Sequence, residues 1–252
     1  MQPDSHFHCR AGKWRKDNEP SIERSDMNLA KNFIDVGIQT NQREAMLDFW
    51  QNQAGLPYEE LLKVGGGTHQ HRHNLNGSVL KLNHLRAVLP ENDETGYREL
   101  LIARENLQAP LQMRDPDGNA LTLVPRDHLM ISHIGITLSV RSLHQYQDFY
   151  SDILQLESLN EKTFRWGTTL FFLEENPNRK PTQSMGGKGY RYITVQVYDV
   201  DHEHTGILKR GGMEARPPVS LGTTARISFI KDPDGNWIEI SQRASLTGKI
   251  PR

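Results

Sequence analysis

Apolar and polar residues alternate with period two along much of this 252-residue chain. That pattern predicts strands with one packed face and one polar face. In Ser132-His-Ile-Gly-Ile-Thr-Leu-Ser-Val140, Ile134, Ile136 and Leu138 take one face, and His133, Gly135 and Thr137 take the other. After residue 236 the packed face falls to Ile238 and Ile240, so Trp237 and Glu239 share the opposite face. Strands are also predicted at 33–40, within 58–89 (broken at Gly65-Gly66-Gly67 and Asn76-Gly77), after Gly96, at 120–124, 156–166, 168–174 and 191–198, and flanking residue 232. The period changes to a helical one at Met46, Leu47, Phe49 and Trp50, and again from Leu143 through Tyr146, Phe149, Tyr150, Ile153 and Leu154. Asn41 with Glu44, and Ser142 with Gln145, read as the capping signals of those helices. A third, short helix is predicted at 201–209, stopped by Gly211-Gly212.

The elements come in two ordered sets. Asp115-Pro-Asp-Gly-Asn119 recurs as Asp232-Pro-Asp-Gly-Asn236, a strong turn sequence in which Pro presets φ and Gly closes the reversal. Val36-Gly-Ile38 recurs as Ile134-Gly-Ile136, Asp48-Phe-Trp50 as Asp148-Phe-Tyr150, and Gly96-Tyr-Arg98 as Gly189-Tyr-Arg191. Four matches in one order predict an internal duplication, with repeats at 32–126 and 131–243. Gly96 lies too close to its turn for a second helix, so the first repeat is shortened.

Composition narrows the function classes. With 30 basic and 31 acidic residues the net charge is −1, and the basic residues are scattered, which argues against a nucleic-acid partner. No apolar run is long enough to span a bilayer. Residues 1–31 are polar throughout and read as a disordered leader, and 244–252 as a basic tail. Cys9 is the only cysteine, which excludes an internal disulfide and fits a cytoplasmic location. His6, His8 and Cys9 in the leader carry no metal assignment.

Candidate chemistry rests on few residues. Glu239 sits on a strand's inner face, and a buried carboxylate requires a cation or a strong donor beside it. His133 shares its face with Gly135, which leaves space beside the imidazole. His133 and Glu239 read either as partial ligands of a divalent metal or as a hydrogen-bonded pair with no metal. His69, His71 and His73 project from one strand face, read as solvated rather than as a second metal site. His202 and His204 read as exposed, and Phe164, Trp166, Phe171 and Phe172 as core rather than as a substrate pocket.

The paired pattern, His133 ahead of Gly-Ile, and Asp232-Pro-Asp-Gly235 leading to Glu239 together resemble the vicinal oxygen chelate superfamily of glyoxalases, bleomycin-resistance proteins and extradiol dioxygenases. The likeness spans roughly residues 32–243. It implies an α+β fold of tandem βαβββ modules, two glyoxalase-like domains with cupped mixed sheets, and a metal site in the second. It also implies a divalent metal ion (Fe, Mn or Zn) held by His133 and Glu239, and an enzyme of lyase, isomerase or dioxygenase type acting on a small substrate with vicinal oxygens. The family's third ligand, commonly His, falls on Tyr192, which is expected to be a ligand, a proton donor or packing. Asp35 and Thr122 stand at the ligand places of the first repeat, a poor pair for a metal. Phe229 replaces the tyrosine of ring-cleaving enzymes, and Ser220-Leu-Gly222 lacks their histidine. The alternative is a metal-free binding module of the drug-sequestering kind. Whether the sheets pair within one chain or across a homodimer stays open.

Overall fold

The computed structural model describes residues 27–90 and 94–250. Its elements run β1 (Leu29–Thr40), α1 (Arg43–Asp48), β2 (Tyr58–Lys63), β3 (Thr68–Leu75), β4 (Ser78–Leu85), β5 (Tyr97–Arg104), β6 (Leu111–Arg114), β7 (Ala120–Pro125). The second half gives β8 (Ile134–Val140), α2 (Leu143–Asp148), β9 (Glu157–Asn160), β10 (Thr163–Trp166), β11 (Thr169–Glu175), β12 (Gly189–Val197), α3 (Val200–Lys209), β13 (Met213–Leu221), β14 (Ala225–Lys231), β15 (Trp237–Arg243) and α4 (Ala244–Thr247). The fold is α+β, with two mixed sheets and few helices.

The sheets do not coincide with the repeats. Sheet A has the order β13-β14-β15-β12-β1-β4-β3-β2, and sheet B has β6-β7-β5-β8-β11-β10-β9. Each sheet therefore joins half of one repeat to half of the other, within a single chain. The seams are antiparallel: β1 pairs with β12 (Gly37 opposite Tyr192), and β5 with β8 (Leu101 opposite Gly135). Side-chain alternation fixes the register, because a one-residue slip would turn Ile34, Val36 and Ile38 away from the core.

Local signals act as expected in several places. The Ser142 side chain accepts from the Gln145 N–H and caps α2, whereas Gln42 rather than Asn41 begins α1. Asn41 instead donates to the carbonyls of Leu85 and Ala87, tying α1 to the end of β4. Both α1 and α2 run into a π-helical turn, Phe49–Gln53 and Phe149–Ile153, which buries Phe49 and Trp50 or Phe149 and Tyr150 in the core. Phe164, Trp166 and Phe171 are core residues as well.

Four surface expectations are corrected. The strand expected from Phe33 begins at Leu29, since Leu29 pairs with Val197 and Met27 is buried. The rest of the leader, with His6, His8 and Cys9, lies outside the described residues. The expected tail opens with α4, and Ile250 is buried. His71 and His73 are buried rather than solvated, because their face of β3 meets Leu82 and Leu80 of β4. Both His73 ring nitrogens lack a hydrogen-bond partner, and burial pushes the imidazole down to about 4. His204 is buried against Glu214 at 2.8 Å, while His202 is exposed.

Candidate functional site: the concave face of sheet A

The Asp232 turn places Glu239. Asp232 Oδ1 accepts the backbone N–H groups of Asp234 (3.0 Å) and Asn236 (2.8 Å), and its Oδ2 accepts from Asn236 Nδ2 and the Tyr146 hydroxyl (2.7 Å each). These bonds oppose the burial that raises the Asp232 carboxyl to about 6. From this anchored turn β15 runs beside β12 with Glu239 opposite Thr194 and Trp237 opposite Tyr192. Ile238 and Ile240 enter the core, so Glu239 faces the concave side of sheet A.

The cation that this carboxylate requires comes from the other repeat. Lys81 of β4 donates from Nζ to Glu239 Oε2 at 2.9 Å and to Thr194 Oγ1 at 2.6 Å, and Thr194 Oγ1 donates to the same carboxylate oxygen at 2.6 Å. The Lys81 side chain is 5% exposed and that of Glu239 12%. No described group donates to Glu239 Oε1. The Tyr192 ring lies across Gly37, where a Cβ would come within 2.2 Å of the ring, and its hydroxyl accepts from Asn83 Nδ2 at 3.1 Å. Burial, with the nearby Glu239 charge, holds the Tyr192 hydroxyl well above the ordinary phenol range, so it stays a neutral phenol. Arg216 stacks over Phe229 and Trp237 at 5.7 and 5.3 Å. Tyr192 and Arg216 line a cavity of ≈ 380 Å³ with a polar floor of Lys81, Asn83, Glu239 and Arg243 and an apolar wall of Ile227 and Phe229.

The remaining candidates lie elsewhere. Asp35 is on sheet A, but Lys31, the Val79 N–H and Gln196 occupy its carboxylate at 2.8, 2.9 and 3.3 Å. His133 immediately precedes β8 of sheet B, with Nδ1 2.9 Å from Ser132 Oγ and its ring edge-on to Phe33 at 5.0 Å. Topology thus sends His133 and Glu239 to different sheets, and only Glu239 and Tyr192 come together. On sheet B, Thr122 donates to Glu99, and Phe172 fills the space beside Gly135. A larger groove of ≈ 550 Å³ runs there, lined by charges of both signs, with Arg98 paired to Glu94.

The donor set does not fit a divalent ion. Among the described residues no group of three or more His, Cys, Asp or Glu is placed to hold one. In sheet A, Asp35 shares the inner face with Glu239, but Lys31, the Val79 N–H and Gln196 take its oxygens, and the Lys81 ammonium holds Glu239 Oε2. A divalent ion on the other Glu239 oxygen would meet this ammonium across a single carboxylate, with strong repulsion.

Lys81, Asn83 and Arg216 were not among the residues singled out by sequence. The alternation Val79, Lys81, Asn83 against Leu80, Leu82 marks a polar inner face on β4, a usable signal. Nothing local shows that Glu239 lies across from it.

Two mixed sheets, each joining strands from both halves of the chain and one carrying a charged floor, make an α+β architecture of the glyoxalase type. Residues 127–240 match the family model described as the Glyoxalase/Bleomycin resistance protein/Dioxygenase superfamily. The chain is 33% identical over 122 residues to a probable lactoylglutathione lyase of Synechocystis sp., covering 43% of this chain and 92% of that protein. It is 32% identical over 122 residues to a lactoylglutathione lyase of Neisseria meningitidis, covering 43% and 88%. The chain belongs to the glyoxalase/bleomycin resistance/dioxygenase superfamily. In fold alone it is similar to glyoxalase I of Zea mays (TM-score 0.70, 15% identity, 86% of this chain and 92% of that one). The same holds for the cppA protein of Streptococcus pneumoniae (TM-score 0.54, 10% identity, 86% and 100%). No helix among the described residues is long and apolar enough to cross a membrane.

Proposed function

We propose that the concave face of sheet A is a substrate site and that the chain is an enzyme moving a proton on a small molecule with adjacent oxygen atoms. The observation that carries this reading is Glu239. One carboxylate oxygen is anchored by Lys81 and Thr194, and the other accepts nothing from the described protein groups. A carboxylate held in that way is oriented to accept a proton from a bound molecule. The ≈ 380 Å³ cavity admits a small substrate, with Ile227 and Phe229 for its apolar part.

The lyase relatives supply the substrate class. A lactoyl thioester carries a hydroxyl and a carbonyl on neighbouring carbons, and proton transfer between such carbons interconverts hydroxy-carbonyl isomers. The C–H bond breaks toward Glu239 Oε1, and its electron pair forms the C=C bond of an enediolate while the carbonyl electrons move onto that oxygen. The same proton then returns to the adjacent carbon as the hydroxyl proton passes to the oxyanion, so that hydroxyl and carbonyl exchange places. No oxidant or further reactant enters. Tyr192, a neutral phenol beside this carboxylate, is the proton donor available to a substrate oxygen.

Formation of S-lactoylglutathione from glutathione and the corresponding α-ketoaldehyde, followed by gain of thioester absorbance, tests the reading. Wild-type protein forms the thioester, and Glu239→Gln slows it by about 10²–10⁴-fold with the fold retained. Absence of both turnover and calorimetric binding of S-lactoylglutathione by the wild type rejects the lyase-type reading. Tight binding without turnover moves the chain to the binding-module class.

A further inference from the structure

We propose that the Lys81 ammonium takes the place of a metal ion in this cup, donating to the substrate oxygen that becomes negative while Glu239 receives the proton. The inference rests on the substrate site assigned above but concerns what supplies its positive charge.

The geometry is specific. Lys81 Nζ reaches Glu239 Oε2 and Thr194 Oγ1, and lies 5.5 Å from the Tyr192 ring centre. An ammonium has three N–H donors, and two are engaged by described residues, which leaves one for a bound oxygen. The side chain is held from every side. Gly37 stands beside it on β1 with no side chain, and Tyr192 fills that space. On β3, Gln70 holds Asn83 at 2.9 Å, and Asn83 holds the Tyr192 hydroxyl. The charge is therefore fixed before any substrate arrives, the condition under which electrostatic stabilisation of a developing oxyanion is most effective.

The chemistry is balanced without a metal. A metal ion in such a site acts as Lewis acid on a substrate oxygen. A buried ammonium offers a smaller charge but a directed hydrogen bond, and it is covalently tethered, so it cannot be lost to a chelator. The same atom that stabilises the oxyanion also orients Glu239. When the proton moves to Oε1, the oxyanion replaces the lost carboxylate charge next to Lys81, and the charge of the cup is conserved through the step.

The experiment is metal analysis of untagged protein, with Lys81 variants alongside. Wild type carries no stoichiometric transition metal, takes up none from added zinc, nickel or manganese, and keeps its rate of S-lactoylglutathione formation after chelator dialysis. Lys81→Met lowers that rate by about 10²–10³-fold with no rescue by added metal. Lys81→Met/Glu239→Gln removes both charges and serves as the folded control. Lys81→Glu/Tyr192→His gains one equivalent of zinc, because it places two carboxylates and an imidazole in the cup. One equivalent of metal in the wild type, removed by chelator together with activity, overturns the inference and leaves the substrate site standing. Metal-free wild type with no turnover sinks the lyase reading. In that case failure of the Lys81→Glu/Tyr192→His protein to bind zinc overturns the inference as well.

Discussion

The side chain of Asn236 accepts the backbone N–H of Gly96 at 2.6 Å, although 140 residues separate them. The second Asp-Pro-Asp-Gly turn thereby closes on the Gly-Tyr-Arg stretch of the first repeat. The first turn does the reciprocal: a Cβ on Gly189 would lie 2.4 Å from Asn119 Oδ1. The glycines recur because each admits an asparagine from the opposite repeat. Arg179 and Thr182 also donate to Asn236 Oδ1, so this side chain gathers the 176–189 loop as well.

Gly96→Ala and Asn236→Ala both weaken this junction. A Cβ on Gly96 meets Asn236 Nδ2 at 2.6 Å and the Ser139 carbonyl at 3.0 Å. Each variant loses about 1–3 kcal/mol, read as a lower denaturant midpoint. An unchanged midpoint for Asn236→Ala shows that the junction carries no stability.

The Lys81–Glu239 pair is expected to be costly to break and cheap to remove. Lys81→Met leaves a largely buried carboxylate with only Thr194, and is destabilised by on the order of 3 kcal/mol. Lys81→Met/Glu239→Gln recovers most of that loss. A double-mutant cycle in urea gives the coupling, and additive effects show that the pair does not interact.

Acid acts through His73. Its imidazole is pushed from 6.5 down to about 4 by burial, so the fold favours the neutral form. Its contribution is complete above pH 6.5 and is lost as the pH falls through that range to about 4, approaching roughly 3 kcal/mol. Asp115 and Asp232, raised to about 6 by burial, act in the opposite sense, since protonation relieves them. His73→Leu is therefore less sensitive to acid than wild type between pH 7 and 4, measured by denaturant midpoints. Parallel pH curves for the two proteins contradict the assignment.

Tyr192→Phe separates packing from chemistry. It loses the bond from Asn83, about 1 kcal/mol, and keeps the ring over Gly37. As a proton donor Tyr192 is worth about 10²–10⁴-fold in the rate of S-lactoylglutathione formation. Wild-type turnover in the phenylalanine variant assigns the ring to packing alone.

The sequence by itself determined what depends on neighbours in the chain. Turn residues, strand faces, the Ser142 cap and the order of the repeats were all legible, because φ preferences and side-chain periodicity act over a few residues. So was the requirement of Glu239 for a cation, since desolvating a carboxylate is costly wherever it occurs. Tertiary structure decided which strands share a sheet. His133 and Glu239, the first and last strands of one repeat, part company because each sheet is completed by strands of the other repeat. The burial of His73 likewise depends on the core beneath β3 and β4. Lys81 meets Glu239 across 158 residues, through the β4–β1–β12–β15 pairing. Such a contact has no local signature, because the energy that selects it comes from burial and strand register over the whole sheet.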